Sequence, residues 1–245
     1  MDSGGSSRDQ PSDPWAGLTE LERLPLRATR RVIARRLSDT WRDVVPVTLH
    51  RDLDVSAVTI QVEGGGPRLL DMVLHATTRA LLATPAFNAV FDGSVRRVFA
   101  EVNIGLAVDT PKGLLVPVLR NVQAMSMADI GTARRTATDL VRGWGHSAAD
   151  LIGGTFTISN LGPLGIDFFT PVINGPQVAI LGLGRLRRQA VGWSGESGVE
   201  PRSLLPASLT IDHRVLDGAD GARFLQTLQQ HLDALSGDER EPLSR

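Results

Sequence analysis

The stretch Ile211-Asp212-His213-Arg214-Val215-Leu216-Asp217-Gly218-Ala219-Asp220-Gly221-Ala222 joins two different hydrophobic periods. Before it, Leu204–Ile211 is a short apolar run of strand length. After it, Ala222, Phe224, Leu225, Leu228 and Leu232 recur at helical spacing from a start near Ala219. The chain therefore reads as strand, turn, helix, with a histidine at the join. A strand end holds the backbone of His213 while leaving its ring free to project into a cleft. Asp217 can cap the following helix, or pair with a cation and fix the loop that carries His213. By itself the segment suits a plain structural turn as well as an active site.

A second segment has the same form. Gly153-Gly154-Thr155-Phe156-Thr157-Ile158-Ser159-Asn160-Leu161-Gly162 is a short strand with Phe156 and Ile158 on one face and Thr155, Thr157 and Ser159 on the other. Ser159 then enters a glycine-containing loop. A hydroxyl at a strand end can donate to a developing oxyanion, or it can simply support the turn.

Outward from these segments, helices and strands alternate without a regular βαβ repeat. A helical pattern runs from Thr29, with Val32, Ile33, Leu37 and Trp41 near one face. Val45–Val55 alternates as a strand, and Leu69–Leu82 reads as a buried helix stopped before Pro85. Val102–Val108 and Leu114–Leu119 form a hairpin around Thr110-Pro111-Lys112-Gly113, where proline and glycine favour a type I turn. A helix over Ser126–Arg142 and a strand over Val178–Leu183 complete the set. The fold class expected is α/β, a two-layer sandwich with helices over a mixed, largely antiparallel sheet. Residues 1–18 are rich in Ser, Gly, Asp and Pro and read as a disordered leader, with the domain following over 19–245. Gly64–Gly66 is a loop without the residues of a phosphate cradle.

Composition narrows the chemistry. The chain has 245 residues, 42% of them hydrophobic and 22% charged, which suits a globular core. A net charge of −1 gives no electrostatic case for nucleic acid or an anionic membrane. There are no cysteines, so thiolate nucleophiles and disulfides are excluded. No apolar run is long enough to span a bilayer, no signal core opens the chain, and the cytoplasm is the default location. Lys112 is the only lysine; the arginine excess reads as the codon bias of a GC-rich genome. No metal cluster stands out.

Both quoted segments, in this order, resemble the catalytic domain of the dihydrolipoyl acyltransferases, the core subunits of 2-oxoacid dehydrogenase complexes. The resemblance extends to Pro25–Leu37, to Pro85-Ala86-Phe87-Asn88, to Asn103–Asn121 and to Pro171–Gly182. It implies a chloramphenicol acetyltransferase-like fold. It implies that His213 is the general base, that Ser159 bonds the tetrahedral oxyanion, and that Asp217 holds the histidine loop. Arg30 is the expected partner of Asp217, with Arg31 less favoured, and Gly218 supports the same loop. It also implies a homotrimer, with the histidine of one chain facing the hydroxyl of its neighbour. Donor and acceptor enter such a site from opposite ends. Imidazole titrates near neutral pH, so a neutral histidine can take the proton of an attacking thiol or hydroxyl.

Two departures shape the functional expectation. Lys112 lies in the catalytic-domain hairpin, so no lipoyl group is expected on this chain. The end, residues 236–245, is mostly charged rather than leucine-rich, which argues for a trimer over a giant core. The reading that follows is a standalone O-acetyltransferase. It takes acetyl-CoA as co-substrate and a hydroxyl of a small-molecule acceptor, a tetronate polyketide, with a downstream acetate-eliminating enzyme as partner. The alternatives are a dehydrogenase-complex core enzyme served by a dihydrolipoyl carrier in trans, and a non-catalytic scaffold.

Overall fold

The computed structural model describes residues 15, 17–111, 113–192 and 199–235. In chain order the elements are α1 (Ala28–Asp43), β1 (Pro46–Asp54), α2 (Ser56–Glu63), α3 (Leu69–Ala83), β2 (Ala89–Phe91) and β3 (Arg96–Val98). Then come β4 (Ile104–Thr110), β5 (Gly113–Leu115), β6 (Val118–Leu119), α4 (Met127–Arg142), β7 (Phe156–Asn160), β8 (Ala179–Leu183), β9 (Arg187–Gly192), β10 (Val199–Asp212) and α5 (Gly218–Ala234). Among the described residues no helix is long and apolar enough to cross a membrane. Lys112 and nearly all of the expected leader lie outside the described residues.

The main sheet has the order β1-β10-β8-β7-β4-β5, with β6 on β4 and β9 on β10. Among the described residues only the β4–β7 and β7–β8 pairs are parallel. The sheet is thus mixed and largely antiparallel, as expected. Its two faces differ because side chains alternate along each strand. Leu209 pairs across to Leu49 and Leu181, and Leu181 to Ile158. This row faces the helices: a Cβ on Gly221 of α5 would lie 2.8 Å from Leu49 and 3.6 Å from Leu209. The core forms here, with Phe224 of α5 stacked on Phe87 at 4.6 Å and tilted on Phe156 at 5.7 Å. The opposite face carries Ser208, Thr210 and Asp212 of β10, Thr157 and Ser159 of β7, and Gly182 of β8. The loop 161–178 covers part of it.

Local chemistry accounts for the helices. Ser126 and Asp129 form a capping box that starts α4, with Asp129 N donating to Ser126 Oγ at 3.2 Å and Ser126 N to Asp129 Oδ2 at 3.2 Å. The α3 and α4 helices are tied by Asp71 and Arg134, a nearly buried ion pair. The helix α2 was not expected, because Val58, Thr59, Ile60 and Val62 are poor helix formers. It forms because Asp54 Oδ1 accepts from Ser56 N at 2.9 Å and from Ser56 Oγ at 2.6 Å, and because Val58 and Thr59 are buried.

The hairpin at 110–113 is present, with Thr110 opposite Gly113. Its second strand is broken at Val116-Pro117, since proline has no amide to donate to a ladder. Leu119 then pairs with Ile104 as β6. Strand β10 is longer than its apolar pattern: its polar first half extends past β8 and pairs with β9. On α1, the apolar residues Val32, Leu37 and Trp41 are 68%, 45% and 55% exposed. Their stripe is therefore not covered by the chain's own core.

Candidate active site

His213 follows the last residue of β10. Its amide donates to Val45 O at 2.8 Å, so the strand end and the start of β1 fix the backbone under the ring. The flanking residues tighten the turn. Asp212, with only 2% of its side chain exposed, accepts from Arg214 Nε at 2.9 Å and from Arg214 Nη2 at 2.7 Å. It also accepts from the amides of Arg214 at 3.2 Å and Val45 at 3.4 Å. A carboxylate buried to this degree persists only when its acceptor sites are filled. Hydrogen bonding to Asp212 raises the Arg214 guanidinium above its ordinary value. The His213 ring itself is 40% exposed.

Ser159 lies near the end of β7, half-buried, on the helix-free face. It pairs across to Ala107 on one side and to Gly182 on the other. Beside it, the ring of Phe169 lies against Gly182: a Cβ there would come within 2.7 Å of the ring. Glycine at 182 is what lets an aromatic wall approach the sheet next to the serine. Two residues back, Thr157 donates to Gln177 Oε1 at 2.6 Å and fixes the strand against the covering loop.

The register places the two residues far apart within one chain. Ser159 is level with Gly182, and Gly182 with Ser208. His213 lies five residues beyond Ser208 along β10. At a rise of about 3.3 Å per residue and about 4.8 Å between strands, the separation is about 16 Å along the sheet and about 10 Å across it. One chain puts the two residues at opposite ends of the sheet and does not bring them together.

Asp217 stands where the resemblance needs it and bonds differently. It is the N-cap of α5 in a capping box, with its amide donating to Asp220 Oδ2 at 2.9 Å. Its carboxylate lies 3.7 Å from His213 Nδ1 and is 81% exposed. That amide, and then Arg223, hold the Asp220 carboxyl below its ordinary value. Arg30 sits exposed on α1, and the two are not joined among the described residues. The physical reason is local: the carboxylate of Asp217 faces the start of α5 and the ring of its own His213. The cations that hold the loop are instead Arg214, through Asp212, and Arg96, whose Nη1 donates to Val215 O at 2.8 Å. Gly218 opens α5, and a Cβ there would meet nothing within 4 Å, so close packing does not demand glycine at this position.

Sequence reasoning missed Asp212, Arg214, Arg96 and the Phe169–Gly182 contact. The first two carried a legible signal. An acid and an arginine flank the histidine, two apart at a strand end, where alternation puts them on one side. Arg96 and Phe169 come from distant segments and carried none.

With this geometry established, comparison with known proteins fixes the family. Residues 19–237 match the family described as 2-oxoacid dehydrogenases acyltransferase (catalytic domain). The chain is 33% identical, over 89% of its length and 40% of the relative's, to the dihydrolipoyllysine-residue acetyltransferase component of the pyruvate dehydrogenase complex of Haemophilus influenzae. It thus spans well under half of that relative's length. Its structure is similar, with a TM-score of 0.84 and 34% identity, to the Azotobacter vinelandii dihydrolipoamide acetyltransferase, covering 94% of this chain and 98% of that one. That structure was solved to examine the roles of a serine, a histidine some fifty positions later and an asparagine four positions after the histidine. Here Ser159, His213 and Asp217 stand in the same order. The structure of the cubic core of the pyruvate dehydrogenase multienzyme complex is similar at a TM-score of 0.83 and 34% identity, over 94% of this chain and 98% of that one. Chloramphenicol acetyltransferase, at 15% identity and a TM-score of 0.54 over 81% of this chain and 94% of that one, shares the fold.

These findings overturn one expectation. A standalone, acetyl-CoA-dependent O-acetyltransferase acting on a tetronate, with an acetate-eliminating partner, does not stand. The relatives that share a third of the residues over most of the chain are named for transfer to a dihydrolipoyl lysine. By sequence over nearly its whole length and by the architecture of its sheet, the chain belongs to the 2-oxoacid dehydrogenase acyltransferase catalytic-domain family.

Proposed function

We propose that this chain is the acyltransferase core of a 2-oxoacid dehydrogenase complex, moving an acyl group between coenzyme A and the dihydrolipoyl group of a carrier. The observation that carries the reading is the placement of His213 and Ser159 at opposite ends of the sheet, about 19 Å apart in one chain. A transfer site built from both requires two copies of the chain, and a ring of copies satisfies every one of them. We therefore take the unit to be a homotrimer.

Within such a site the roles follow from the chemistry. Neutral His213 accepts the proton of the attacking thiol. The sulfur adds to the thioester carbonyl, and negative charge develops on the carbonyl oxygen. Ser159, from the neighbouring copy, donates to that oxygen. As the tetrahedral species collapses, the proton on His213 returns to the leaving thiolate. A positioned base contributes about 10²–10⁴-fold and one oxyanion donor about 10²–10³-fold. Asp217 lies beside the other ring nitrogen, with its carboxylate 3.7 Å from Nδ1.

The test is acetyl transfer from acetyl-CoA to dihydrolipoamide, run beside light scattering. The expected result is transfer by a particle built on three 26.3 kDa chains, lost on His213→Ala. No transfer by a well-folded trimer would refute the substrate assignment. Full activity in a monomer would refute the shared site.

A further inference from the structure

The β2–β3 hairpin stands apart from the main sheet, and one of its rungs touches the histidine turn twice. Phe91 and Arg96 are cross-strand partners. The guanidinium carbon of Arg214 lies 4.9 Å from the centroid of the Phe91 ring. From the same rung, Arg96 Nη1 donates to Val215 O at 2.8 Å. The hairpin is itself anchored. Phe91 N donates to Pro176 O at 2.8 Å, and Asn88 Nδ2 donates to Phe99 O at 2.8 Å and Glu101 O at 3.0 Å. At its tip, Asp92 Oδ1 accepts from the amides of Ser94 at 2.9 Å and Val95 at 2.8 Å, which closes the turn.

We propose that this rung is a clamp on the general base: Phe91 positions His213 by holding Arg214 in its fork on Asp212, and Arg96 positions it by holding Val215. Both are positioning residues, and neither touches the reacting atoms. The argument is geometric. Among the described residues the ion-pair partner of the His213 ring is Asp217 at 3.7 Å, too long for a hydrogen bond. Its direction is therefore set by the backbone of the turn. That backbone is confined because residues 212 and 214 are locked to each other by a planar two-nitrogen fork. A fork of this kind depends on the plane of the guanidinium, and a ring face against that plane favours the flat orientation. The Arg96 bond fixes the next carbonyl along.

This inference rests on the reading of His213 as the base, and the experiment separates the two. Phe91→Leu keeps an apolar side chain and removes the ring face; Phe91→Trp keeps a face. For Phe91→Leu the expected result is a fall in kcat of about three- to tenfold with KM for both substrates within about twofold. Phe91→Trp should stay within about twofold of the parent. Arg214→Lys keeps the charge and loses the fork, so it should lower kcat by itself. Adding Phe91→Leu to it should then cost less than about twofold, because Phe91 acts through Arg214. Amide hydrogen exchange over residues 211–216 gives a readout independent of chemistry, and it should speed up in Phe91→Leu and in Arg96→Met. If the parent transfers nothing to dihydrolipoamide, the functional reading fails, while exchange still tests the clamp. The clamp is overturned by unchanged exchange in Phe91→Leu, by equal losses in the leucine and tryptophan variants, or by a full Phe91→Leu effect in the Arg214→Lys background.

Discussion

Mixing two inactive variants should restore activity to a calculable level. Ser159→Ala chains keep His213, and His213→Ala chains keep Ser159. Alone, each assembly lacks one group at every site and should retain no more than about 10⁻² of the parent rate. In the parent structure the two residues of one chain are about 19 Å apart by strand rise and spacing, so no chain completes its own site. In a ring assembled at random from equal amounts, a site is complete when a Ser159→Ala chain supplies the histidine and a His213→Ala chain supplies the serine. Each condition holds half the time, so about a quarter of the sites work. Activity should therefore rise at least about 25-fold over either parent variant. A control sharpens the result. Wild type mixed equally with the double variant should also give about a quarter of full activity, whereas sites within one chain would give about half. The assay is acetyl transfer on the whole co-expressed population, with two affinity tags used to verify that mixed particles form. Absence of recovery in verified mixed particles would refute the register argument.

Other consequences are open to measurement. Gly182→Ala puts a Cβ within 2.7 Å of the Phe169 ring and should cost about 1–3 kcal/mol by overpacking; Phe169→Leu in the same chain should return part of it, and an unchanged Tm would show that the ring is not seated there. Arg134→Met strands the Asp71 carboxylate, 4% exposed, without its partner, and should cost about 3–5 kcal/mol by urea unfolding. Replacing both members, Asp71→Asn with Arg134→Met, should recover most of that loss, and failure to do so would point to a packing role. Asp220→Ala removes the acceptor of the Asp217 amide and of Arg223 and should cost about 0.5–1 kcal/mol at neutral pH. Because the pKa of Asp220 is depressed in the folded chain, its contribution is full above the ordinary carboxylate range and disappears as pH falls through the folded value. The stability gap between parent and variant should therefore close in acid, and a gap constant with pH would contradict the assignment.

Much of the sheet was legible because its strands are apolar on one face and bounded by turn residues. The Thr110–Gly113 turn and the strand–turn–helix at 211–222 are local events, written in neighbouring residues. What escaped was set by tertiary contact. The run at 56–62, rich in β-branched residues, forms a helix because Asp54 accepts from Ser56 at its start and the core receives Val58. The polar half of β10 becomes strand only because β9 lies beside it. At the site, His213, Ser159 and Asp217 were candidates from their segments, and their roles came from the resemblance. The partner of the histidine loop could not, because Arg96 and Phe91 reach it from a hairpin more than a hundred residues away. Arg30 was chosen by resemblance; no property of residue 30 itself pointed to Asp217.

On the proposed shared site, two half-sites at opposite ends of the sheet give the chain a direction, as a magnet has poles. Copies can add only head to tail, and each contact completes one reaction centre. A linear string always leaves an unused histidine at one tip and an unused serine at the other. Closure joins these two orphans and adds one working centre without adding a chain. Catalytic yield per chain is thus highest when no tip remains, and a damaged contact idles one centre while leaving the rest of the ring at work.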